Sequence, residues 1–478
     1  MHKMTKRGFT RALIGVPLIA GIHALTRAGL TVAQHPGGAA LGTVPALDGA
    51  WMSDEATRRA YARDYGLIVH RRPLAVARPG SIADLVRIVR FARRNGLAIA
   101  ARGHGHQPFG QAQVQDGIAI DMRSLSAVHS VSADRIDVHA GADWRMVLGA
   151  AMRHDRTPPV LPAYLGLTVG GTLSIGGIGV ATLRHGAQVD QVQRLQVVTG
   201  EGDVVTCSER EHPDLFEAVL GGQGQCAIIA RAELRLTAAK PMVREYALRY
   251  ADLPTLLQDE AALLRDDRFD GVVAMIVAEA GSWSFMLVAT RSFAPPEAPD
   301  DAAMTAGLRA IAGSERTRDL PYAQYMEGVA EVNLTQSHAD LGLLIPGSAA
   351  PRFIADALPR LRADDLGLAA AMRVFFWPRS AFTRPLFRPP EHDTVVYMAM
   401  LRAETTDPGT LARQLAGNRL LFEQNRDLGG TLYPYSALEL TRRDWRRHYG
   451  TQWRGLVAAK RRYDPDGIFA SGLDLFRE

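Results

Sequence analysis

Cysteine is nearly absent from this chain of 478 residues, which contains only Cys207 and Cys226. Two cysteines cannot build a disulfide framework or a cysteine-based metal site, although a single disulfide between them stays open. Each lies in an apolar stretch, so each is expected to be a small buried side chain. No metal site is therefore predicted from cysteine.

No block of like charge occurs either. The net charge is +5, and the positive charge is mainly arginine scattered among acidic residues, without a basic run or a nucleic-acid motif. We interpret this balance as a solvated surface and expect no nucleic-acid partner. With 47% hydrophobic and 22% charged residues, the composition is typical of a globular protein.

Long apolar runs are confined to the N-terminus. Four basic residues precede an apolar run at 12–25, and small residues at 31–33 offer a cleavage site, which is the plan of a secretory signal. Residues 5–9 resemble a twin-arginine signal with Lys6 in place of the first arginine. We expect an export signal at 1–33 and a periplasmic or secreted protein, without a stable membrane span. A cytoplasmic protein with an uncleaved tail is the alternative.

The length of the chain predicts more than one domain. A Gly/Ala/Pro-rich linker at 34–50 leads into short strands and single helices at 51–238, an α+β pattern rather than a regular alternation. Glycine then thins out, and longer helices, for example at 302–312, alternate with apolar strands in a second domain at 239–428. A Tyr/Trp-rich segment at 429–478 ends the chain.

A glycine-rich loop at 102–111, Arg-Gly-His-Gly-His-Gln-Pro-Phe-Gly-Gln, directly follows a predicted buried strand. Glycines there allow backbone amides to approach a bulky ligand or an anion. His104 and His106 could suggest a metal, but the loop has no carboxylate or cysteine, so metal is the weaker interpretation. The glycine spacing matches neither the dinucleotide-binding pattern nor the P-loop.

A second glycine-rich run extends over 164–179 and continues to 184–186. So many glycines and small hydroxyls are not expected to form a packed helix, whereas they can wrap a flat or anionic ligand with backbone donors. Interleaved Leu, Val and Ile argue against a flexible linker. The run therefore predicts a ligand cradle.

Together these runs resemble the FAD domain of the vanillyl-alcohol oxidase/para-cresol methylhydroxylase (PCMH) superfamily, most closely bacterial cytokinin dehydrogenase-like proteins. Residues 444–450 and 463–465 are similar to the C-terminal signature of that family. The resemblance implies FAD as cofactor and an α+β fold. That fold has a two-subdomain FAD-binding domain of the PCMH type, an α+β substrate (cap) domain with an antiparallel sheet, and a C-terminal segment that returns to the FAD domain.

The resemblance also implies site residues. The family's first loop reads Arg-Gly-x-Gly-His-Ser followed by Gly-Gln, and its histidine is bonded covalently to the flavin. This chain then has His106 as the tether, His104 at the variable position and Gln107 in place of the Ser. No cysteine lies near 158–163, where doubly tethered relatives carry a second bond, so one link is expected. The implied cofactor-binding residues are Arg102, Gly103, His104, Gly105, His106, Gln107, Gln111, Thr168, Gly170, Gly171, Thr172, Ser174, Gly177, Gly224 and Ile228.

The chain departs from the family at Ala163. Cytokinin dehydrogenases have an Asp there that accepts a proton from the substrate amine, which alanine cannot do. Asp270 loosely matches a glutamate of the cap domain that helps to place the substrate, and we predict Asp270 and Tyr433 as catalytic residues. Other possible bases stay open, namely His185, Tyr435 and His448. The family's C-terminal Gln falls on Leu473, which loses one flavin contact.

The predicted function is that of an FAD-dependent oxidoreductase. It would transfer a hydride from a small organic substrate, an alcohol in the favoured interpretation, to a covalently bound flavin that oxygen or another acceptor reoxidises. One alternative is a cytokinin dehydrogenase that oxidises a secondary amine with Asp270 or another acid in place of the missing one. The other is a non-catalytic flavin-binding protein.

Overall fold

The computed structural model describes residues 42–279, 282–328, 335–362, 365–367, 371–469, 472–473 and 475–476. The predicted export signal at 1–33 and residues 34–41 of the predicted linker lie outside these ranges, so export stays a prediction. No helix in the described ranges has the length and apolar character needed to cross a membrane.

The first sheet has a mainly parallel core, with strand order β1-β2-β4-β3 and only β1 antiparallel. Its elements are β1 (Ala50–Met52), α1 (Glu55–Tyr61), β2 (Ala75–Arg78), α2 (Ile82–Arg94), β3 (Ile99–Arg102) and β4 (Ile118–Asp121). The Ser81 hydroxyl caps α2 by accepting from the Asp84 amide. The carboxyl end of β3 leads directly into the glycine-rich loop at 102–111, so the sheet positions that loop.

The second sheet is antiparallel, in the order β5-β6-β10-β8-β9, and a two-stranded ribbon of β7 and β11 accompanies it. Its strands and the ribbon are β5 (Val128–Val131), β6 (Arg135–His139), β7 (Arg156–Thr157), β8 (Val192–Thr199), β9 (Val204–Cys207), β10 (Ala227–Arg235) and β11 (Thr237–Ala238). The helices of this region are α3 (Trp144–Met152), α4 (Val169–Leu173), α5 (Thr182–His185) and α6 (Pro213–Val219).

An eight-stranded antiparallel sheet follows, in the order β15-β12-β14-β13-β17-β18-β16-β19. Its strands are β12 (Met242–Tyr250), β13 (Gly271–Glu279), β14 (Ser282–Phe293), β15 (Arg316–Pro321), β16 (Leu341–Pro346), β17 (Ala371–Pro378), β18 (Thr394–Met400) and β19 (Thr431–Leu432). Its helices are α7 (Leu253–Leu263), α8 (Asp301–Thr305), α9 (Tyr322–Met326), α10 (Ala350–Ala357) and α11 (Pro408–Asp427). The predicted α+β class and antiparallel cap sheet are confirmed, whereas the exact domain limits stay predictions.

Two local expectations were wrong. The helix expected at 302–312 is only α8, because Ala306 leaves helical geometry and Gly307 takes a left-handed φ of 75°. The run at 164–179, expected to lack a packed helix, contains the short α4. There, Gly170 lets the backbone lie so close to Ala140 that an added Cβ would come within 2.9 Å of the Ala140 methyl.

The chain ends in α12 (Arg442–Tyr449) and α13 (Trp453–Tyr463), after which it returns to the first sheet. The Ile99 amide of β3 donates to the Ile468 carbonyl at 2.7 Å. Lys460 holds this return in place, because its ammonium donates to the carbonyls of Gln225 and Phe469, both at 2.9 Å, and to Asp464 Oδ2 at 2.5 Å. One buried cation therefore joins the 223–226 turn to the C-terminal segment that is bonded to β3.

Replacement of Lys460 by Met is expected to lower the free energy of unfolding by about 3–5 kcal/mol, since it leaves a buried carboxylate without its cation. Lys460 is 9% exposed and Asp464 is 2% exposed, so water cannot substitute for the lost ammonium. Chemical denaturation of both proteins measures the difference. Lys240→Met is the matched control, because Lys240 is exposed, and it should change stability by less than about 0.5 kcal/mol. Equal losses in the two variants would contradict this account.

Candidate active site

A cavity of about 600 Å³ lies among β3, α4, β10 and the strands β17 and β18. That volume is within the range of small-molecule and cofactor sites. All fifteen residues predicted to bind the cofactor line it, and so do Ala163 and Tyr433. The structure thus brings the two glycine-rich runs together around one space, while the role of each residue stays a prediction.

The first loop is held by Arg102 and by backbone bonds. Arg102 Nη1 donates to the carbonyls of Tyr61 at 3.2 Å and Arg63 at 2.6 Å. Gly105 has a φ of 74°, and a side chain there would collide with the Arg102 guanidinium. Its carbonyl accepts from the Tyr65 amide at 2.9 Å. The sequence Arg-Gly-x-Gly therefore fixes the loop with its histidines toward the cavity.

The far end of the same loop is fixed by Asp64 and Gln111. Asp64 Oδ2 accepts from the Gly110 amide at 2.5 Å, and burial raises the Asp64 pKa to about 6 despite that bond. The Gln111 amide group donates to the Ser436 carbonyl at 3.0 Å. Because Ser436 adjoins Tyr435, this bond ties the first loop to the C-terminal wall of the cavity.

His106 lies in an aromatic enclosure. Its ring is stacked on Tyr65, with centroids 3.8 Å apart and an interplanar angle of 27°. The Tyr164 and Tyr435 rings are 5.3 Å and 6.0 Å away. His104 instead meets the edge of Tyr164 at 5.9 Å. The two histidines therefore differ in setting, and His106 is the more closely enclosed.

The hydroxyls of the second run donate within the protein. Thr172 Oγ1 accepts from Trp144 Nε1 at 3.0 Å and donates to the Val169 carbonyl at 3.2 Å. Ser174 Oγ donates to the Gly170 carbonyl at 2.7 Å. These bonds hold α4 against α3, and backbone at Gly170, Gly171 and Gly177 faces the cavity without side chains in between.

The lining fits an anionic cofactor that is approached by backbone. No acidic side chain is among the described residues that line the cavity, whereas the cationic side chain of Arg102, at the start of the first loop, is one of them. Gln107 Oε1 is buried and has no hydrogen-bond partner among those residues, so a bound group can supply one. No cluster of ligands for a metal ion occurs in the described ranges.

Asp270 does not reach the cavity. Its Oδ2 accepts from the Ser292 amide at 2.6 Å and its Oδ1 from Arg291 Nη1 at 3.2 Å, so it closes the pairing of β13 with β14. His185 and His448 are also absent from the lining. Burial lowers the pKa of His448 to about 3, so this imidazole is neutral. The structure gives none of the three a place at the reacting centre.

Tyr433 does line the cavity, and its phenolic oxygen accepts from the Gly177 amide. Burial raises the pKa of this phenol above its usual range. The hydroxyl is thus paired with backbone, in contrast to the neighbouring Tyr435.

The sequence did not predict the pair that Tyr435 forms with Asp340. Tyr435 was expected only as one of several possible bases. The Tyr435 hydroxyl donates to Asp340 Oδ2 at 2.9 Å, and Asp340 Oδ1 accepts from the Arg402 amide at 2.8 Å. His338 Nε2 lies 3.8 Å from Asp340 Oδ2. Asp340 is 2% exposed, and burial raises its pKa although His338 and Arg402 oppose this. No motif marks these residues; only folding joins them.

Arg373 was also missed. It lies on β17 and lines the cavity beside Tyr397. The available signal was a lone charge within the apolar strand Ala-Met-Arg-Val-Phe-Phe. A charged side chain within an otherwise buried strand is costly unless it has a partner or a function.

Two family models match the chain. Residues 73–208 match "FAD binding domain", and residues 255–476 match "Cytokinin dehydrogenase 1, FAD and cytokinin binding". An uncharacterized oxidoreductase, ORF5 in the fasciation locus of Rhodococcoides fascians, is 37% identical over 89% of this chain and 99% of its own length. Cytokinin dehydrogenase 4 of rice (Oryza sativa subsp. japonica) is 30% identical over 90% of each chain.

Among solved structures, 6-hydroxy-D-nicotine oxidase from Arthrobacter nicotinovorans superposes with a TM-score of 0.71 over 91% of this chain and 99% of its own. At 23% identity this likeness shows the fold alone. The predictions of an enzyme, of FAD as cofactor and of the superfamily are confirmed by the family models and relatives. The chain belongs to the cytokinin dehydrogenase family of FAD-dependent oxidoreductases.

Proposed function

We propose that this enzyme oxidises a hydroxyl group of a small organic molecule, with its FAD bonded covalently through His106. Bound FAD supplies the hydride acceptor for the substrate carbon. The observation that carries the hydroxyl chemistry is the bond from the Tyr435 hydroxyl to the buried Asp340 carboxylate at 2.9 Å. A proton acceptor at the cavity wall is what oxidation of an alcohol requires.

The chain contributes a path for the hydroxyl proton. Tyr435 takes the proton of the substrate hydroxyl while its own phenolic proton passes to Asp340 Oδ2. Burial raises the pKa of Asp340, and a carboxylate with a raised pKa is the stronger proton acceptor. The Arg402 amide holds Asp340 Oδ1, so Oδ2 stays directed at Tyr435. The pair therefore acts as one base.

The covalent tether is supported by the setting of His106. Its ring is held against Tyr65 at 3.8 Å, which fixes the direction of its nitrogens before the flavin arrives. Bond formation with one particular atom of a cofactor benefits from such orientation. His104 occupies the variable position of the motif, and its ring meets that of Tyr164 at 5.9 Å with an interplanar angle of 73°.

A comparison of matched substrates tests hydroxyl oxidation. Purified holoenzyme is mixed anaerobically with benzyl alcohol or with N-methylbenzylamine, and the loss of oxidised-flavin absorbance is followed. We expect the alcohol to reduce the flavin at least about tenfold faster, since the cavity offers a base for its hydroxyl. Reduction by the amine alone would overturn the proposal. Flavin that neither these compounds nor a broader panel of alcohols and amines reduces would support a non-catalytic flavin-binding protein.

Cytokinin oxidation is the second candidate, favoured by the rice relatives named cytokinin dehydrogenase. We expect isopentenyladenine to reduce the wild-type flavin slowly, because Ala163 lines the cavity and cannot accept a proton. Ala163→Asp should raise that rate by about 100-fold. Ala163→Asn, of equal size but not basic, is the matched control and should leave it unchanged. Wild-type turnover of isopentenyladenine faster than of any alcohol would favour the second candidate.

We propose further that the protein is exported, with 1–33 removed, and that oxygen or another small acceptor reoxidises it. The support for export is the basic, apolar and small-residue order of the N-terminus. The mass of the mature chain, recovered from the native host, tests it; a mass that includes residues 1–33 would contradict cleavage.

A further inference from the structure

Arg373 stands apart from the other arginines at the centre of the fold. It is partly buried, and its guanidinium makes no hydrogen bond or ion pair with any residue in the described ranges. By contrast, Arg384 pairs with Glu209 and Glu217, and Arg402 donates to Asn418 Oδ1 at 2.9 Å. A guanidinium stays charged at any physiological pH, so the cavity contains a cation that has no counterion in contact with it among the residues that the structure describes.

The surroundings of Arg373 do not neutralise it. No acidic residue is among the described residues of the cavity lining. The Asp340 carboxylate attracts Arg373 electrostatically from farther away. It is already hydrogen-bonded to the Tyr435 hydroxyl and the Arg402 amide, so it is not a contacting counterion for Arg373. Burial also lowers the pKa of Arg373, which is the mark of a charge removed from water. Such a group is stabilised by an anionic partner supplied from outside.

The sheet sets the distance between Arg373 and the base. Arg373 of β17 pairs with Ala399 of β18, which pairs with Gly342 of β16. Two strand spacings separate the Cα atoms of Arg373 and Gly342 by roughly 10 Å. Gly342 lies two residues after Asp340, and the row of the sheet from Arg373 continues through the methyl of Ala399 to the hydrogen of Gly342. The Tyr397 ring packs over Gly342, where an added Cβ would come within 3.0 Å of the Tyr397 hydroxyl, so the space between the cation and the Tyr435–Asp340 pair is bounded by this phenol.

We propose that Arg373 binds a carboxylate group of the substrate, so that the substrate is a hydroxy acid. This inference rests on the proposed hydroxyl oxidation and names its substrate class. Arginine suits a carboxylate because two parallel N–H donors match its two oxygens. The carbinol carbon then lies between Arg373 and Tyr435, and the geometry of one substrate satisfies both.

The reaction balances without a further reactant. FAD, when bound, would supply the acceptor for the hydride from the carbinol carbon. The O–H proton goes to Tyr435 while the phenolic proton of Tyr435 passes to Asp340 Oδ2, and a C=O double bond forms at that carbon. The carboxylate on Arg373 is unchanged throughout and only orients the substrate. The product is an oxo acid, or an aldehyde acid when the alcohol is primary.

Binding of benzoate tests the anion site without turnover. Holoenzyme is titrated with benzoate and with neutral benzamide, and the change in the flavin spectrum gives each Kd. We expect Arg373→Met to raise the Kd of benzoate about 30- to 100-fold and that of benzamide less than about threefold. Arg373→Lys, which keeps the charge but not the paired donors, should give an intermediate value. Flavin content of each variant checks that it has folded. Equal benzoate affinity in all three proteins, or no binding to the wild type, would overturn the inference.

Turnover separates this inference from the proposed function. The pair 4-(hydroxymethyl)benzoate and its methyl ester have the same carbinol and differ in the anion. We expect the wild type to show a KM about 30-fold lower for the acid, and Arg373→Met to lose that preference with kcat changed less than about threefold. Equal KM values in the wild type would overturn the anion site alone. Arg373-dependent benzoate binding with no alcohol oxidised would instead overturn the proposed function.

Discussion

Enzyme denatured and freed of small molecules is expected to stay yellow, and His106→Ala is expected to lose all of that colour. A covalent bond between His106 and the flavin survives unfolding of the chain. The backbone contacts of the cavity are lost, because unfolding separates the residues that make them. The stacked ring of Tyr65 holds His106 toward the cavity before any bond forms. Absorbance of the precipitated and redissolved chain measures the result.

His104→Ala is the control for this experiment, since both histidines line the same cavity two residues apart. It should retain the colour, because ring contacts place His104 against the edge of Tyr164 rather than within the Tyr65 stack. Colour lost in His104→Ala and kept in His106→Ala would move the tether by two residues. Colour washed from the wild type would remove the covalent bond while leaving FAD as the cofactor.

Tyr435→Phe and Asp340→Asn are expected to slow flavin reduction by an alcohol about 100- to 10,000-fold, the usual contribution of a general base. Each change breaks the same proton path, one at the phenol and one at the carboxylate. Together they should cost little more than either alone, because they remove one unit. Anaerobic stopped-flow mixing measures the rate.

Tyr433→Phe is the matched control, since it removes the hydroxyl of the neighbouring cavity tyrosine. That hydroxyl accepts from the Gly177 amide, so a loss of less than about tenfold is expected. A large loss in Tyr433→Phe with none in Tyr435→Phe would restore Tyr433 as the catalytic residue that the sequence suggested.

The same pair gives the reaction a pH dependence with a definite sign. Asp340 accepts the proton only as a carboxylate, and burial raises its pKa above 3.8. The reduction rate should therefore fall as the pH drops through that raised pKa. His338 and Arg402 face Asp340 directly and Arg373 acts on it from farther away. If the decrease in rate at low pH persisted in Asp340→Asn, a group other than Asp340 would be responsible for it.

The parts of the site that could be predicted are those in which chemistry is local in the chain. The glycine-rich runs at 102–111 and 164–179 approach the cavity with their own backbone, so their composition alone points to a ligand. Tyr435 and Asp340 are 95 residues apart and meet only because β16 lies beside the C-terminal segment. No rule about the spacing of residues in a sequence could have predicted that these two side chains meet. Asp270 is the opposite case, since a loose match in sequence selected a carboxylate that accepts from the backbone of β14, and its catalytic role stays a prediction.

The bond between Ile99 and Ile468 has a consequence for the order of events during synthesis. The strand that delivers the flavin loop is completed by residues from the last dozen of the chain, and Lys460 clamps them in place. Domains made early on the ribosome usually fold first, but this one lacks an edge partner until residues 460–469 have been made. We therefore expect cofactor loading to follow the synthesis of that segment, and a chain truncated before it to be left without its flavin.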